Sequence, residues 1–368
     1  MKQQNKLLYG WQEVELGDVL SFAPKSGKKA GEGIEQGKHK FFTSSSEQSK
    51  FINEFDFDGD YLILATGGKA GIHHCNGRFS ASNDCFVLKT DNAFAKYVYY
   101  YLFSKIHLLE EGFKGAGLKH LSRNHLLCIK IPLPPLPTQK LIVSILEKAD
   151  SLKQKREEAD KLTKEYLQSV FKEMFYKKKF PIVKLKDIAI IERNSIPANQ
   201  IKKGDKYVGL EHLESESGRI INIISVSEGD LKSNKFSFDE NCVLYGKLRP
   251  YLNKIALPEF KGICSTDIVP IRSIKEKSNR YFISYILKQP YYIKLATDRS
   301  VGANLPRLSP RELESFEIIY PPLPLQNKFA SIVKEVEQLK EQQKKSKEQI
   351  DNLFNALMQR AFKGELVR

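Results

Sequence analysis

The sequence predicts an α+β protein built in two halves: two globular mixed α/β domains separated by two long helices that pair as an antiparallel coiled coil, with internal pseudo-two-fold symmetry. Three observations carry this expectation: a repeat at an offset of 187 residues, an apolar stripe of coiled-coil period after each copy, and short strand-like runs before each copy. The boundaries follow as 1–133 for the first domain, 134–179 for the first spacer helix, 180–320 for the second domain and 321–368 for the second spacer helix. A chain of 368 residues is long enough for two domains, each with its own core.

The repeat is clearest at Pro134-Pro135-Leu136-Pro137-Thr138-Gln139, answered by Pro321-Pro322-Leu323-Pro324-Leu325-Gln326. Upstream at the same offset, Gly115-Ala116-Gly117-Leu118-Lys119-His120-Leu121-Ser122 faces Gly302-Ala303-Asn304-Leu305-Pro306-Arg307-Leu308-Ser309, sharing Gly, Ala, both Leu and Ser. Self-similarity at a fixed offset marks one structural plan used twice.

Proline lacks an amide donor and restricts the residue before it, so each cluster ends the preceding structure and opens a helix. In the first helix Ile142, Ile145, Ala149, Leu152, Arg156, Ala159, Thr163, Tyr166 and Val170 recur in alternating steps of three and four, the period of a coiled-coil seam. The same offset leads to Phe329, Ile332, Val336, Leu339, Gln343, Ser346, Ile350, Leu353 and Leu357. Each run of ~40 residues makes roughly 60 Å of helix at about 1.5 Å per residue, too long for one small domain to enclose. Ile142, Ile145, Ala149 and Leu152, with Phe329, Ile332, Val336 and Leu339, are the apolar positions expected to pair or dock partners, and a charge at Ile145 or Ile332 is expected to damage assembly.

The domains resemble each other more faintly. Residues 11–19 (WQEVELGDV) parallel 180–188 (FPIVKLKDI), each an edge-strand opening. Residues 60–69 parallel 242–251, a strand entering a glycine-bearing basic loop, and 82–88 parallel 265–271, a polar turn entering a strand. Residues 97–103 and 281–287 read as short aromatic helices.

Hydrophobic residues at 41% and charged residues at 28%, with 16 Tyr and 22 Phe, exclude global disorder. Residues 1–10 are polar and basic without an apolar core, and no stretch reaches the ~18 apolar residues of a membrane span, so a cytoplasmic chain with no membrane partner is expected. The net charge of +15 points to a polyanion, because every phosphate neutralised by Lys or Arg releases condensed counterions. The two spacer segments hold 20 basic and 13 acidic residues, nearly half of that excess, so charge alone does not locate the binding surface. Cys75, Cys85, Cys128, Cys242 and Cys264 are odd in number and form no C-x-x-C pair, and His73, His74, Cys75 and Cys85 match no familiar finger spacing. Neither disulfides nor a metal is expected.

Catalytic motifs fail on inspection. Pro134-Pro135 and Pro321-Pro322 echo the proline pair of amino-methyltransferases, but Leu133 and Tyr320 stand where an amide or carboxylate must hold the amine. Residues 33–39 (GIEQGKH) are one residue short of a phosphate-binding loop and end in His where Mg²⁺ requires a hydroxyl. No H-E-x-x-H, G-x-S-x-G or strand-borne G-x-G-x-x-G is present.

The order of domain, P-P-L-P-x-Q and long helix, repeated once, resembles the specificity subunit of type I restriction-modification systems across essentially the whole chain. Ala361-Phe362-Lys363-Gly364-Glu365-Leu366 is similar to the family's C-terminal signature, whereas the first helix ends on Met174-Phe175-Tyr176-Lys177-Lys178-Lys179 without Gly-Glu-Leu. The resemblance implies two target recognition domains, each reading one half of a gapped double-stranded DNA site, and helices that set the gap and dock two methyltransferase subunits and restriction-translocase subunits. No cofactor of its own is implied: S-adenosylmethionine, ATP and Mg²⁺ would serve those partners. Because the domains share only a skeleton, unlike half-sites are expected. A self-contained methyltransferase or nuclease and a coiled-coil adaptor for protein or RNA are the competing readings; cofactor binding by the isolated chain would favour the first, and preference for RNA the second.

DNA contacts are expected from the glycine loops, where small residues let backbone approach phosphates while basic and amide groups reach bases. In the first domain these are Thr66, Lys69, His73, His74, Arg78 and Asn83; in the second, Lys247, Arg249, Tyr251, Lys254, Ser265 and Thr266. The loops before the prolines add Lys114, Lys119, His120 and Arg123, with Arg299, Asn304, Arg307 and Arg311 opposite them. Asp84 and Asp267 are read as turn-capping residues rather than catalytic carboxylates, and Gln139 and Gln326 as structural or partner-facing.

Overall fold

The computed structural model describes residues 10–115, 117, 119–227 and 231–367. The opening residues 1–9, Ala116 and Leu118 of the upstream repeat, and Arg368 lie outside the described residues. The chain forms two compact units, one of residues up to Glu158 together with those from Gln343 onward, the other Ala159–Gln342. Each unit therefore joins one globular domain to the start of one long helix and the end of the other.

In the first unit Gln12–Glu15 pairs antiparallel with Lys130–Leu133, tying the strand that opens the domain to the one that leaves it for the helix. The main sheet has six strands in the order Leu20–Phe22, Cys85–Thr90, Phe57–Ala65, Ile72–Ala81, His39–Phe42, Lys50–Ile52. Only His39–Phe42 runs parallel to its neighbour Ile72–Ala81. Successive side chains of a strand point to opposite faces, and Phe57–Ala65 uses both. Leu62 and Leu64 enter the core formed with the helices, while Tyr61 and Ile63 join Phe42, Phe57, Phe79 and Val87 on the other side. The aromatic helix Ala95–Ser104 supplies Tyr97, Val98, Tyr101 and Leu102 to the helix-side core.

The second unit follows the same plan with its strands divided between two sheets. Ile182–Lys184 pairs with Glu317–Ile319, closing the domain as in the first half. One sheet runs Ala189–Ile191, Ile268–Ser273, Cys242–Gly246, Ile255–Ala256; the other Ser195–Ile196, Lys235–Phe238, Gly262–Cys264, Lys206–Val208, Ile224–Ser225. Val243 and Tyr245 face the helices, and Cys242 and Leu244 the opposite core. The aromatic helix here is Arg280–Leu287. Beside Cys242, Arg272 pairs with Glu192 and, at 3.0 Å, with Asp239.

Burial opposes the charge of Asp239, yet Arg272 and the Asn241 amide (2.8 Å) hold its carboxyl below the ordinary range. A lowered folded pKa contributes stability that is present above the unfolded value of about 3.9 and lost as pH falls through the folded value. The melting temperature of the second unit is expected to drop below about pH 4, and Asp239→Asn to flatten that part of the profile.

The long helices are Leu136–Phe175 and Leu323–Phe362, 40 residues each, with Pro137 and Pro324 in their first turns, where a missing amide costs nothing. In the first unit Ile142, Val143, Leu146 and Ala149 pack with Phe354, Met358 and Ala361; in the second, Leu167, Phe171 and Phe175 pack with Phe329, Val333 and Val336. The start of each helix thus meets the end of the other, so the pairing is antiparallel.

The seam differs from expectation at alternate positions. Ile142, Ala149, Phe329 and Val336 are buried, but Leu152 and Leu339 are 49% and 44% exposed, and Tyr166 and Leu353 are exposed as well. Ile145 and Ile332 are only half-buried. The inward residues are one place later: Leu146 and Leu167 in the first helix, Val333 and Phe354 in the second. A step of three then four and a step of four then three have the same mean period, so periodicity does not choose between them. The neighbouring domain does, by covering a wider stripe than a two-helix seam requires. Lys153 shows the same shift: its ammonium lies 3.5 Å from Asp351 and 5.9 Å from the centre of the Phe354 ring.

Residues 33–39 do not form a phosphate cradle. Gly37 packs so closely that a β-carbon there would lie 2.9 Å from the Ile52 nitrogen, which accounts for the glycine.

Candidate nucleic-acid interface

Each domain gathers three loops at one edge and fastens them with equivalent backbone hydrogen bonds. In the first, the Thr66 amide donates to the Asp84 carbonyl (2.9 Å), the Leu121 amide to the Thr66 carbonyl (2.9 Å) and the Cys85 amide to the Ser82 carbonyl (3.0 Å). In the second, Lys247 donates to Asp267, Leu308 to Lys247 and Ile268 to Ser265, all at 2.9 Å. Gly67 lies opposite His120 and Leu248 opposite Arg307 as isolated bridges. These bonds equate Thr66 with Lys247, one residue earlier than the alignment of 60–69 with 242–251 places it.

On the first edge Thr66 is buried at the joint, while Lys69, Lys119 and His120 are exposed. Lys114 is exposed on Phe113–Lys114, which pairs with His120–Leu121. Exposed Asn83 accepts from the Gly27 amide (3.1 Å) and donates its own amide to the Lys28 carbonyl (2.8 Å). A fourth loop, residues 23–29, is thereby drawn to the edge with exposed Lys25 and Lys29. Its sequence, Lys25-Ser26-Gly27-Lys28-Lys29, carries the same combination of basic residues and glycine as the other loops of the edge. Arg123 joins this loop, its guanidinium 4.0 Å from the Phe22 ring centroid.

His73, His74 and Arg78 belong to the strand Ile72–Ala81, engaged apart from the fastened loops. The His73 Nε2 lies 3.0 Å from the Ser45 carbonyl, and Arg78 pairs with Asp58 at 3.0 Å while stacking on Phe55. His74 pairs with Asp60, and burial lowers its pKa against the pull of that carboxylate.

On the second edge Arg249 adopts left-handed backbone (φ +51°), donates its amide to the Pro306 carbonyl (2.7 Å) and reaches the Asn304 carbonyl at 3.4 Å. Tyr251, Thr266 and Asn304 are exposed. The Ser265 hydroxyl accepts from the Asp267 amide at 3.3 Å, and Arg307 forms a two-bond pair with the Asp267 carboxylate. Lys254 turns inward, donating to the Leu210 carbonyl at 2.6 Å. Arg299 donates to Ser315 (3.0 Å) and pairs with Glu312 (3.3 Å), on the helix Pro310–Glu314 that displays exposed Arg311.

The shared glutamines fasten each domain to its helix. Buried Gln139 accepts from the Phe94 amide (2.8 Å), at the N-terminus of the aromatic helix, and donates to the Pro134 carbonyl (2.8 Å). Buried Gln326 accepts from the Asn279 amide (3.0 Å) and donates to the carbonyls of Pro321 (2.8 Å) and Lys277 (3.2 Å). Among the described residues no group of His, Cys, Asp and Glu gathers as metal ligands, and no helix is long and apolar enough to cross a membrane.

Two domains presenting equivalent basic loop edges, each clamped to one of two long helices, define a protein class that reads nucleic acid in two parts. The family described as the type I restriction modification DNA specificity domain matches residues 9–162 and 177–352, and the chain belongs to it. The type I restriction enzyme EcoDI specificity subunit of Escherichia coli is 26% identical, the match covering 98% of this chain and 90% of that protein. The MjaVIII specificity subunit of Methanocaldococcus jannaschii is 24% identical, covering 97% and 93%. The crystal structure of a type I system S subunit from M. genitalium shares the fold, with a TM-score of 0.67 at 15% identity and 98% coverage of both chains.

Proposed function

We propose that this chain is the DNA-reading subunit of a type I restriction-modification enzyme, catalytically silent itself, with each domain reading one half of a gapped, asymmetric duplex site. Domain boundaries at 1–133 and 180–320 delimit the two readers. The helices set the gap in the site and dock two adenine methyltransferase subunits and the restriction-translocase subunits, which use S-adenosylmethionine, ATP and Mg²⁺. The chain works in the cytoplasm, where its substrate lies.

One observation carries this reading: the two loop edges share their backbone fastening and differ in the side chains they present. A shared scaffold suits the regular phosphate backbone, and unlike side chains suit unlike base edges. Lys69, Lys119 and His120 on one edge, and Arg249, Thr266, Asn304 and Arg307 on the other, are the contacts we assign to DNA, an assignment supported by their exposure on the fastened loops.

The test is the methylome of a host expressing this chain with its modification subunit. A new gapped, adenine-methylated motif is expected, and exchanging residues 1–133 for those of another family member should change one half only. No new motif, from an assembled complex with a competent methyltransferase, would leave the adaptor reading in its place.

A further inference from the structure

We propose that Arg307 reads a guanine in the half-site bound by the second domain, with Asp267 as its positioning residue. This rests on the DNA-reading function above and adds to it a base and the residue that recognises it.

The backbone at Arg307 is held on both sides. Its amide donates to the Val301 carbonyl (2.9 Å) and its carbonyl accepts from the Val301 amide (3.0 Å), while the adjoining Pro306 and Leu308 are bonded to Arg249 and Lys247. The side chain is held as well: Nε donates to one Asp267 oxygen at 2.9 Å and Nη2 approaches the other at 3.4 Å. A guanidinium has five N–H donors in one plane. The carboxylate takes two of them on one side, leaving donors on the outer side in the fork that matches guanine O6 and N7. The side chain is still 44% exposed, so it is accessible to a ligand while paired. Holding it in advance removes part of the ordering cost of binding.

The surroundings favour a base edge over a phosphate. The Asp267 carboxylate beside the guanidinium would repel a phosphate placed there. Val301 is 81% exposed, Leu305 46% and Tyr251 51%, three apolar side chains on the same fastened edge as the arginine. Exposed apolar groups on that edge suit thymine methyls and sugar faces. An exposed ion pair contributes little to stability on its own. In the first domain the position 187 residues earlier is His120, whose ring has no fork, so the two readers differ at this point.

The experiment uses the full chain assembled with its methyltransferase subunit and duplexes randomised over both half-sites. The parent complex should select guanine at one position of the second domain's half. Arg307→Lys, which keeps the charge and loses the fork, should reduce that preference tenfold or more and leave the other positions and the first half unchanged. Asp267→Asn should weaken preference at the same position. A uniform loss of affinity with selectivity retained would make Arg307 a phosphate contact and overturn the proposal, as would a parent half-site without guanine. An unfolded second domain would erase its whole half-site, which is distinct from relaxing one position. A parent complex that selects no gapped motif removes the functional reading itself, whereas a motif untouched by Arg307→Lys removes only this assignment.

Discussion

Phe329→Ala is expected to lower the stability of the second unit by about 3–5 kcal/mol, the range for deleting a large buried aromatic side chain. Phe329 is fully buried, with its ring centroid 5.4 Å from those of Phe171 and Phe175 and 5.1 Å from that of Tyr285. Three elements meet there: the start of the second long helix, the end of the first, and the aromatic helix Arg280–Leu287. Alanine would leave rings facing an empty volume that a helix pair anchored on two sides cannot close. Denaturant unfolding of the full chain measures the loss, and a change below about 1 kcal/mol would mean that these aromatic contacts matter far less than their burial suggests.

The second large effect separates two versions of the seam. Leu146→Glu should destabilise the first unit by more than about 4 kcal/mol, or prevent its folding, because an ionised carboxylate would enter a fully buried apolar site. Leu152→Glu should change stability by no more than about 0.5 kcal/mol, since Leu152 faces solvent. Melting of the two variants side by side decides the phase. Equal losses would mean that Leu152 is covered in solution, and would restore the seam drawn from sequence periodicity alone.

That contrast shows how far the sequence can be read. Helix positions, their length and their antiparallel pairing were legible because prolines and a repeated apolar stripe leave few other solutions. The phase was not. Ile145 and Leu146, Tyr166 and Leu167, and Leu353 and Phe354 are neighbouring large side chains, and hydropathy does not say which member turns inward. Domain closure by Gln12–Glu15 on Lys130–Leu133 was half visible: the opening strand could be seen, its partner more than a hundred residues later could not. Non-local pairing of this kind leaves no local trace.

The loop edges were legible where glycine and basic residues coincide, as at Lys69 and Arg249. The same signal selects Lys254, whose ammonium donates to the Leu210 backbone carbonyl, a bond the local sequence does not announce. The Arg307–Asp267 pair spans 40 residues and exists only once the strands align. Such pairs have to be found in the structure, because nothing in the spacing of the two residues announces them.

The glutamine clamps depend on backbone amides and carbonyls at Phe94, Pro134, Lys277, Asn279 and Pro321, groups that nearly any residue type supplies. The hydrogen-bonded part of the joint between reader and spine is therefore indifferent to the reader's side chains, whereas its apolar part, such as Phe329 on Tyr285, is not. A reader exchanged between such chains is expected to dock where the incoming segment ends on the proline cluster, offers an amide at the start of its aromatic helix, and fills the same apolar packing against the long helix. The clamp thus separates what holds a reader in place from what the reader presents to its ligand.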